Sequence, residues 1–192
     1  VHELLTMDDC FNLVIPRGGH RLIESVNSKS RIPVVKHFAG LCHVYVGRDA
    51  DPQAAQSIVV DSKCLMPEVC NAAETVLVDA SQGESVPALV AALRAHGVTV
   101  RGCPRTRELV PEVEAADEND WSTEYLDLRM SMRIVDDVAQ AIEHVNTYGS
   151  HHTDAIVTGS ADDAEQFRRR VDSGVVLVNA STMFCDGASL GM

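Results

Sequence analysis

Apolar residues in this chain arrive in short runs, at residues 12–15, 32–35, 42–46, 75–78, 98–101, 128–135, 155–158 and 175–178. Brief β-branched runs of this kind are what strands buried on both faces show. Between them the apolar positions recur with helical spacing, as at Val138, Ile142 and Val145, which share one face of a helix. Helix signals punctuate the spacing: Asp51 is a natural N-cap with Pro52 at the first helical position, and Ser160 can cap a helix over 161–171. Gly97 closes the helix predicted over 86–96. Residues 12–35 read strand, glycine turn, helix, strand, which is a βαβ unit with a parallel pair. Repeated alternation of this sort predicts an α/β fold with parallel-rich sheets and helices on both faces. Residues 104–120 break the pattern: acidic, with two prolines, they read as a solvated loop with short helical turns.

Composition changes this picture little. A chain of 192 residues, 45% hydrophobic and 23% charged, has ample material for a core. Two lobes are expected, the first ending near Ala39. A formal charge of −12 argues against sequence-blind binding to nucleic acid or anionic lipid, since both would be repelled. No apolar run approaches the roughly 18 residues of a membrane span, and no signal peptide opens the chain. Cys10, Cys42, Cys64, Cys70, Cys103 and Cys185 are scattered without a C-x-x-C pair, as reduced cytoplasmic thiols are. The absence of a start Met and the Gly-rich stretch at residues 186–192 read as a piece of a longer protein.

Three stretches hold candidate chemistry. Cys70 stands where a helix-like segment, a turn and the strand at 75–78 meet, within Lys63-Cys-Leu-Met-Pro-Glu-Val-Cys-Asn-Ala-Ala-Glu-Thr75. There a thiol is either a small buried hydrophobe or a nucleophile able to attack a carbonyl. Pro16-Arg-Gly-Gly19 precedes a helix, whose free N–H groups can receive phosphate; a plain structural turn is the other reading. Glu124 lies in a Thr-Glu-Tyr segment. His43, His151 and His152 are candidate bases by residue type only; since no spacing ties them to Cys70, each reads first as a surface or structural histidine. The acidic residues of 104–120 lack a ligand spacing, so no metal site is expected.

Several segments carry a resemblance. Leu13-Val-Ile-Pro-Arg-Gly-Gly19, Ile32-Pro-Val-Val-Lys-His37, Gly40-Leu-Cys-His-Val-Tyr-Val46, Val69-Cys-Asn-Ala-Ala-Glu-Thr75, Thr123-Glu-Tyr-Leu126 and Val178-Asn-Ala-Ser-Thr182 occur in that order. In this the chain resembles gamma-glutamyl phosphate reductase (glutamate-5-semialdehyde dehydrogenase), within the aldehyde dehydrogenase superfamily. The resemblance implies a partial cofactor lobe at 1–39, a catalytic lobe at 40–180 and the start of a C-terminal segment at 181–192. It implies NADPH-dependent reduction of L-glutamyl 5-phosphate in proline biosynthesis, through a thioester on Cys70. It assigns Pro16, Arg17, Gly18, Gly19 and Glu124 to the cofactor, and Lys36, His37, Asn71 and Asn179 to the substrate. A cytoplasmic homo-oligomer is implied for the full-length protein, with glutamate 5-kinase as an associated enzyme. A reductase segment of a bifunctional pyrroline-5-carboxylate synthase, or an impaired relative, are the alternatives.

The resemblance also implies chemistry at Lys36-His37, where oxidising relatives carry a water-activating glutamate. A cation there would steady the acyl phosphate instead, unless Lys36 is merely solvated. Met66, Glu68 and Met183 depart from the family pattern. Losing cations at 66 and 183 and gaining an anion at 68 should weaken a phosphate site.

Overall fold

The computed structural model describes residues 2–35 and 40–185. The chain divides into two compact units, Val1–Ala39 and Gly40–Met192.

In the first unit the glycine turn leads into α1 (His20–Lys29), and Val14 forms a parallel bridge with Val34. Val14 N–H donates to the Pro33 carbonyl at 2.9 Å and Val35 N–H to the Val14 carbonyl at 3.0 Å. The order of the segments and their parallel sense match the expected βαβ unit, but among the described residues they meet at one isolated bridge and form no strand. Burial on both faces does not match either: Leu13, Ile15 and Val35 are exposed, while Leu5, Ile23, Val26 and Ile32 form the small core. Among the described residues of this unit, α1 is the one helix longer than a single turn that can cover the bridged pair.

The second unit is built on seven parallel strands. They are β1 (Cys42–Val46), β2 (Ala73–Asp79), β3 (Thr99–Gly102), β4 (Glu114–Ala115), β5 (Arg129–Val135), β6 (Thr153–Val157) and β7 (Val175–Val178). Their order is β4-β3-β5-β2-β1-β6-β7, with Val44 opposite both Val76 and Ala155. All residues of β1 and β2 are buried, as continuous apolar strands at the centre of a covered sheet must be. On one face Val44, Val76, Met132 and Val157 pack under α2 (Pro52–Cys64) and α3 (Val86–Ala95). On the other, Tyr45, Leu77 and Ile156 pack under α5 (Val138–Tyr148) and α6 (Ala161–Arg170). The caps behave as the residue types dictate: Asp51 accepts from Ala54 N–H, Asp137 from Gln140 N–H and Ser160 from Asp163 N–H.

Residues 104–120 are more ordered than the acidic composition suggests. Pro104 opens α4 (Pro104–Leu109), β4 pairs with β3, and Asp117 and Asp120 form a reciprocal capping box on the 3₁₀ turn Glu118–Ser122. Asp120 is buried and accepts from Arg101 and from the Tyr125 hydroxyl, so part of the acidity is structural.

Because every strand runs the same way, the two rims of the sheet differ. At the carboxyl rim β1 and β6 feed helices on opposite faces, the place where such sheets usually open a ligand crevice. Here Gly47 N–H donates to the Val157 carbonyl and Gly159 N–H to the Asp49 carbonyl, both at 2.9 Å, while Arg48 pairs with Asp163. These bonds tie the two loops together across that crevice.

Candidate active site

The candidate chemistry gathers at the opposite, amino rim, in segments that immediately precede strands. After α2 ends at Cys64, residues 65–72 make a turn closed by the Ala72 N–H to Val69 carbonyl bond at 3.0 Å. Cys70 is exposed on this turn. The segment before β1 lies against it so closely that a Cβ on Gly40 would overlap the Cys70 carbonyl, so only glycine fits. Gly40 N–H donates to Glu124 Oε1 at 2.6 Å, and Leu41 N–H to Ser150 Oγ at 2.8 Å. The Cys42 thiol, one residue on, donates to the Cys70 carbonyl at 3.3 Å. Burial, then Asp154, push that thiol well above the ordinary range, so Cys42 stays a neutral donor. Cys70 is thus the thiol of this group that faces outward, on a backbone held by its neighbours.

Beneath the turn lies an ion pair that the apolar pattern conceals. Lys63, on the buried stripe of α2 with Ala55 and Val59, places Nζ 2.7 Å from Glu74 Oε2; the side chains are 0% and 1% exposed. Glu74 Oε1 accepts from Leu126 N–H at 3.2 Å, two residues beyond Glu124. Burial pushes the Glu74 carboxyl up to about 7, against the pull of Lys63 and the Leu126 and Tyr125 backbone. The signal in the sequence was Lys63 itself, four positions after Val59, where the helical stripe calls for an apolar residue.

Of the other expected residues, Asn71 serves the site's frame and Asn179 lies at the carboxyl rim. Asn71 is buried and its amide donates to the Thr182 and Met183 carbonyls at 3.1 and 3.4 Å. Ser62 Oγ, on α2, accepts from Thr182 N–H, so the same segment is fixed twice. The Met183 side chain is buried, a packing position. Asn179, at φ 52°, pairs its amide with both backbone groups of Thr158. Met66 and Glu68 are exposed on the Cys70 turn.

The histidines separate by environment. His43 is fully buried, with Nδ1 2.9 Å from Asp154 Oδ1, and Asp154 also accepts from His43 N–H and Ser173 Oγ. It belongs to the interior of the sheet and is removed as a candidate base. His151 lies against Asp172. His152 Nδ1 stands 3.9 Å from Cys42 Sγ and 2.8 Å from Thr153 Oγ1, beside the thiol group.

In the first unit Gly19 is the N-cap of α1 without a side-chain cap, and a Cβ added to it would meet nothing within 4 Å. Gly18 has φ 152°, and its own Cβ would strike Leu22. An open, capless helix start beside exposed Arg17 fits a phosphate group. Lys36 and His37 lie outside the described residues. Among the described residues no group of three His, Cys, Asp or Glu side chains could hold a metal, and no helix is long and apolar enough to cross a membrane.

No family model matches the chain. Over 192 residues, all of this chain and 46% of the relative, it is 47% identical to the gamma-glutamyl phosphate reductase of Nautilia profundicola. The crystal structure of the gamma-glutamyl phosphate reductase from Thermotoga maritima superposes with a TM-score of 0.96 at 42% identity, covering 99% of this chain and 46% of that one. The chain is a relative of the gamma-glutamyl phosphate reductases. It spans about half the length of the curated reductases it matches. An acetylating aldehyde dehydrogenase from Geobacillus thermoglucosidasius shares the fold at 20% identity and a TM-score of 0.75, covering 98% of this chain and 50% of that one. A glyceraldehyde-3-phosphate dehydrogenase from Methanocaldococcus jannaschii, solved with NADP, does so at 14% and 0.77, covering 96% and 49%. The reductase relative therefore has the expected α/β, aldehyde dehydrogenase-like fold.

Proposed function

We propose that the chain is the catalytic part of an NADPH-dependent reductase that converts L-glutamyl 5-phosphate to L-glutamate 5-semialdehyde and phosphate in proline biosynthesis. The observation that carries this reading is Cys70: an outward-facing thiol on a turn whose backbone is met by Gly40 and Cys42, in a chain 47% identical to reductases of that name. The Cys70 thiolate attacks the acyl carbon, the bond from that carbon to the phosphate oxygen breaks, and phosphate leaves with the electron pair. Hydride reduction of the resulting thioester carbon is the chemistry that bound NADPH supplies. Cys70 then leaves as thiolate when the thiohemiacetal collapses to the aldehyde. The backbone N–H of Cys70 is our candidate donor to the developing oxyanion. Pro16 to Gly19, with the open start of α1, would hold a cofactor phosphate. Glu124 gives one carboxylate oxygen to Gly40 and keeps the other for a ribose hydroxyl. Asn71 and Asn179 serve the substrate through the segments they fix. A cytoplasmic location accords with six cysteines that form no disulfide.

Cys70→Ser in the full-length protein tests the reading. Semialdehyde formation should fall at least a thousandfold with an unchanged circular dichroism spectrum; turnover within tenfold of the parent rejects it.

Met66 and Glu68 favour a second reading, a reductase with weakened substrate binding, since an exposed anion shares the turn with the nucleophile. On that reading Glu68→Ser lowers the KM for acyl phosphate several-fold at unchanged kcat, and an unchanged KM discards it.

A further inference from the structure

We infer that the buried Lys63–Glu74 pair is a positioning device that holds the Cys70 turn and the Glu124 segment in fixed register. The covalent path from Lys63 to Glu74 is the nucleophile turn itself: α2 ends one residue after Lys63, and Glu74 is the second residue of β2. The 2.7 Å ion pair therefore closes the base of that turn as a clasp, with both side chains removed from water. Its second oxygen reaches a different element. Glu74 Oε1 takes Leu126 N–H, and Leu126 has φ 52°, a left-handed conformation that a leucine keeps only where its surroundings impose it. Two residues earlier, Glu124 Oε1 accepts from Gly40 N–H, and Gly40 leaves no room for a Cβ against Cys70. The contacts run in a ring: Lys63, Glu74, Leu126, Glu124, Gly40, Cys70 and back along the turn.

Neither Lys63 nor Glu74 has an exposed surface from which to touch substrate, so they act through the residues they hold. Removing a single partner of a buried pair leaves an uncompensated charge, whereas replacing both by apolar residues is often tolerated. The informative variants are therefore doubles. Lys63→Met with Glu74→Leu removes the clasp and the acceptor for Leu126. Lys63→Met with Glu74→Gln removes the charges but keeps an amide oxygen for Leu126.

The test uses the full-length protein and hydrogen exchange read by mass spectrometry, which needs no turnover. In the Met/Leu variant, peptides covering 65–72 and 123–127 should exchange at least tenfold faster, with the peptides of β1 and β6 unchanged. The Met/Gln variant should restore the 123–127 peptide to within threefold of the parent. Turnover should follow: in Met/Leu kcat falls at least tenfold and the KM for NADPH rises at least threefold, because the loosened segment carries Glu124, and Met/Gln returns that KM to within threefold of the parent. Exchange within twofold of the parent in both segments of Met/Leu overturns the inference. So does unfolding of both doubles, because the pair would then be a requirement of the fold and not of the turn. The kinetic arm rests on Cys70 being the nucleophile; if Cys70→Ser retains turnover that reading fails, and the exchange comparison still decides the positioning role.

Discussion

At Gly40 the main chain passes Cys70 with no room for a methyl group, and the obstacle is a backbone carbonyl that cannot swing aside. Gly40→Ala should therefore cost about 1–3 kcal/mol, as overpacked sites do. Because the strain falls on the nucleophile turn, turnover should drop more than stability does; a melting curve and a steady-state assay on the same sample compare the two. Asp154 offers a contrast in the interior. It takes His43 Nδ1 and N–H on one oxygen and the Ser173 hydroxyl on the other, and Asp154→Asn, which removes one of these two buried acceptors, should cost about 1–3 kcal/mol in denaturant titration. Cys70 and Glu124 were singled out in the sequence through the motifs around them, and the structure brings both against Gly40. Lys63 and Glu74 were not, because local pattern treats a lysine on an apolar stripe as noise and says nothing about a partner eleven positions away. His43 is the reverse case: residue type alone offered a base, spacing tied it to nothing, and burial against a carboxylate shows the structural role.

Among the elements, strands with uninterrupted apolar runs were read most directly. β1 spans the run 42–46 residue for residue, and β2, β5, β6 and β7 fall within two residues of theirs. Caps were equally plain, since Asp51 with Pro52 leaves little else for that segment to do. The two failures have physical causes. Residues 12–15 and 32–35 have strand composition but pair at a single bridge, because strand propensity does not supply neighbours. In residues 104–120 the solvated reading holds for Glu108, Glu112, Glu114, Asp117 and Glu118, all exposed, and fails at buried Asp120, whose charge was counted without its partners. Burial works to raise the Asp120 carboxyl, but the Asp117 N–H, the Tyr125 hydroxyl and Arg101 overcome it and hold it below the ordinary range. The unfolded chain then binds more protons than the native one below the ordinary carboxylate value, so stability falls as pH drops through that region. Asp120→Asn should flatten this acid limb in melting temperatures measured between pH 5 and 3, ranges chosen around the usual Asp value of about 3.9. An equally steep limb in the variant would assign it to other carboxylates.

For the whole molecule, the unit from Gly40 onward covers both faces of its sheet with its own helices, α2 and α3 on one side and α5 and α6 on the other. Residues 40–192 made alone should therefore unfold in one cooperative transition, seen as coincident curves by circular dichroism and Trp121 fluorescence. Separate curves would show that the sheet needs more than its own layers. The division into rims was not visible in the sequence, because the direction in which each connection turns is a property of topology. Cys70 and the residues that meet its turn precede strands, whereas Asn179, after β7, helps fasten the loops that follow strands to one another. The far rim is consequently a handle. A short affinity tag spliced between Gly83 and exposed Glu84, in the 3₁₀ turn after β2, would emerge a full strand length from the thiol, so the protein could be tethered to a surface by that end and still turn over.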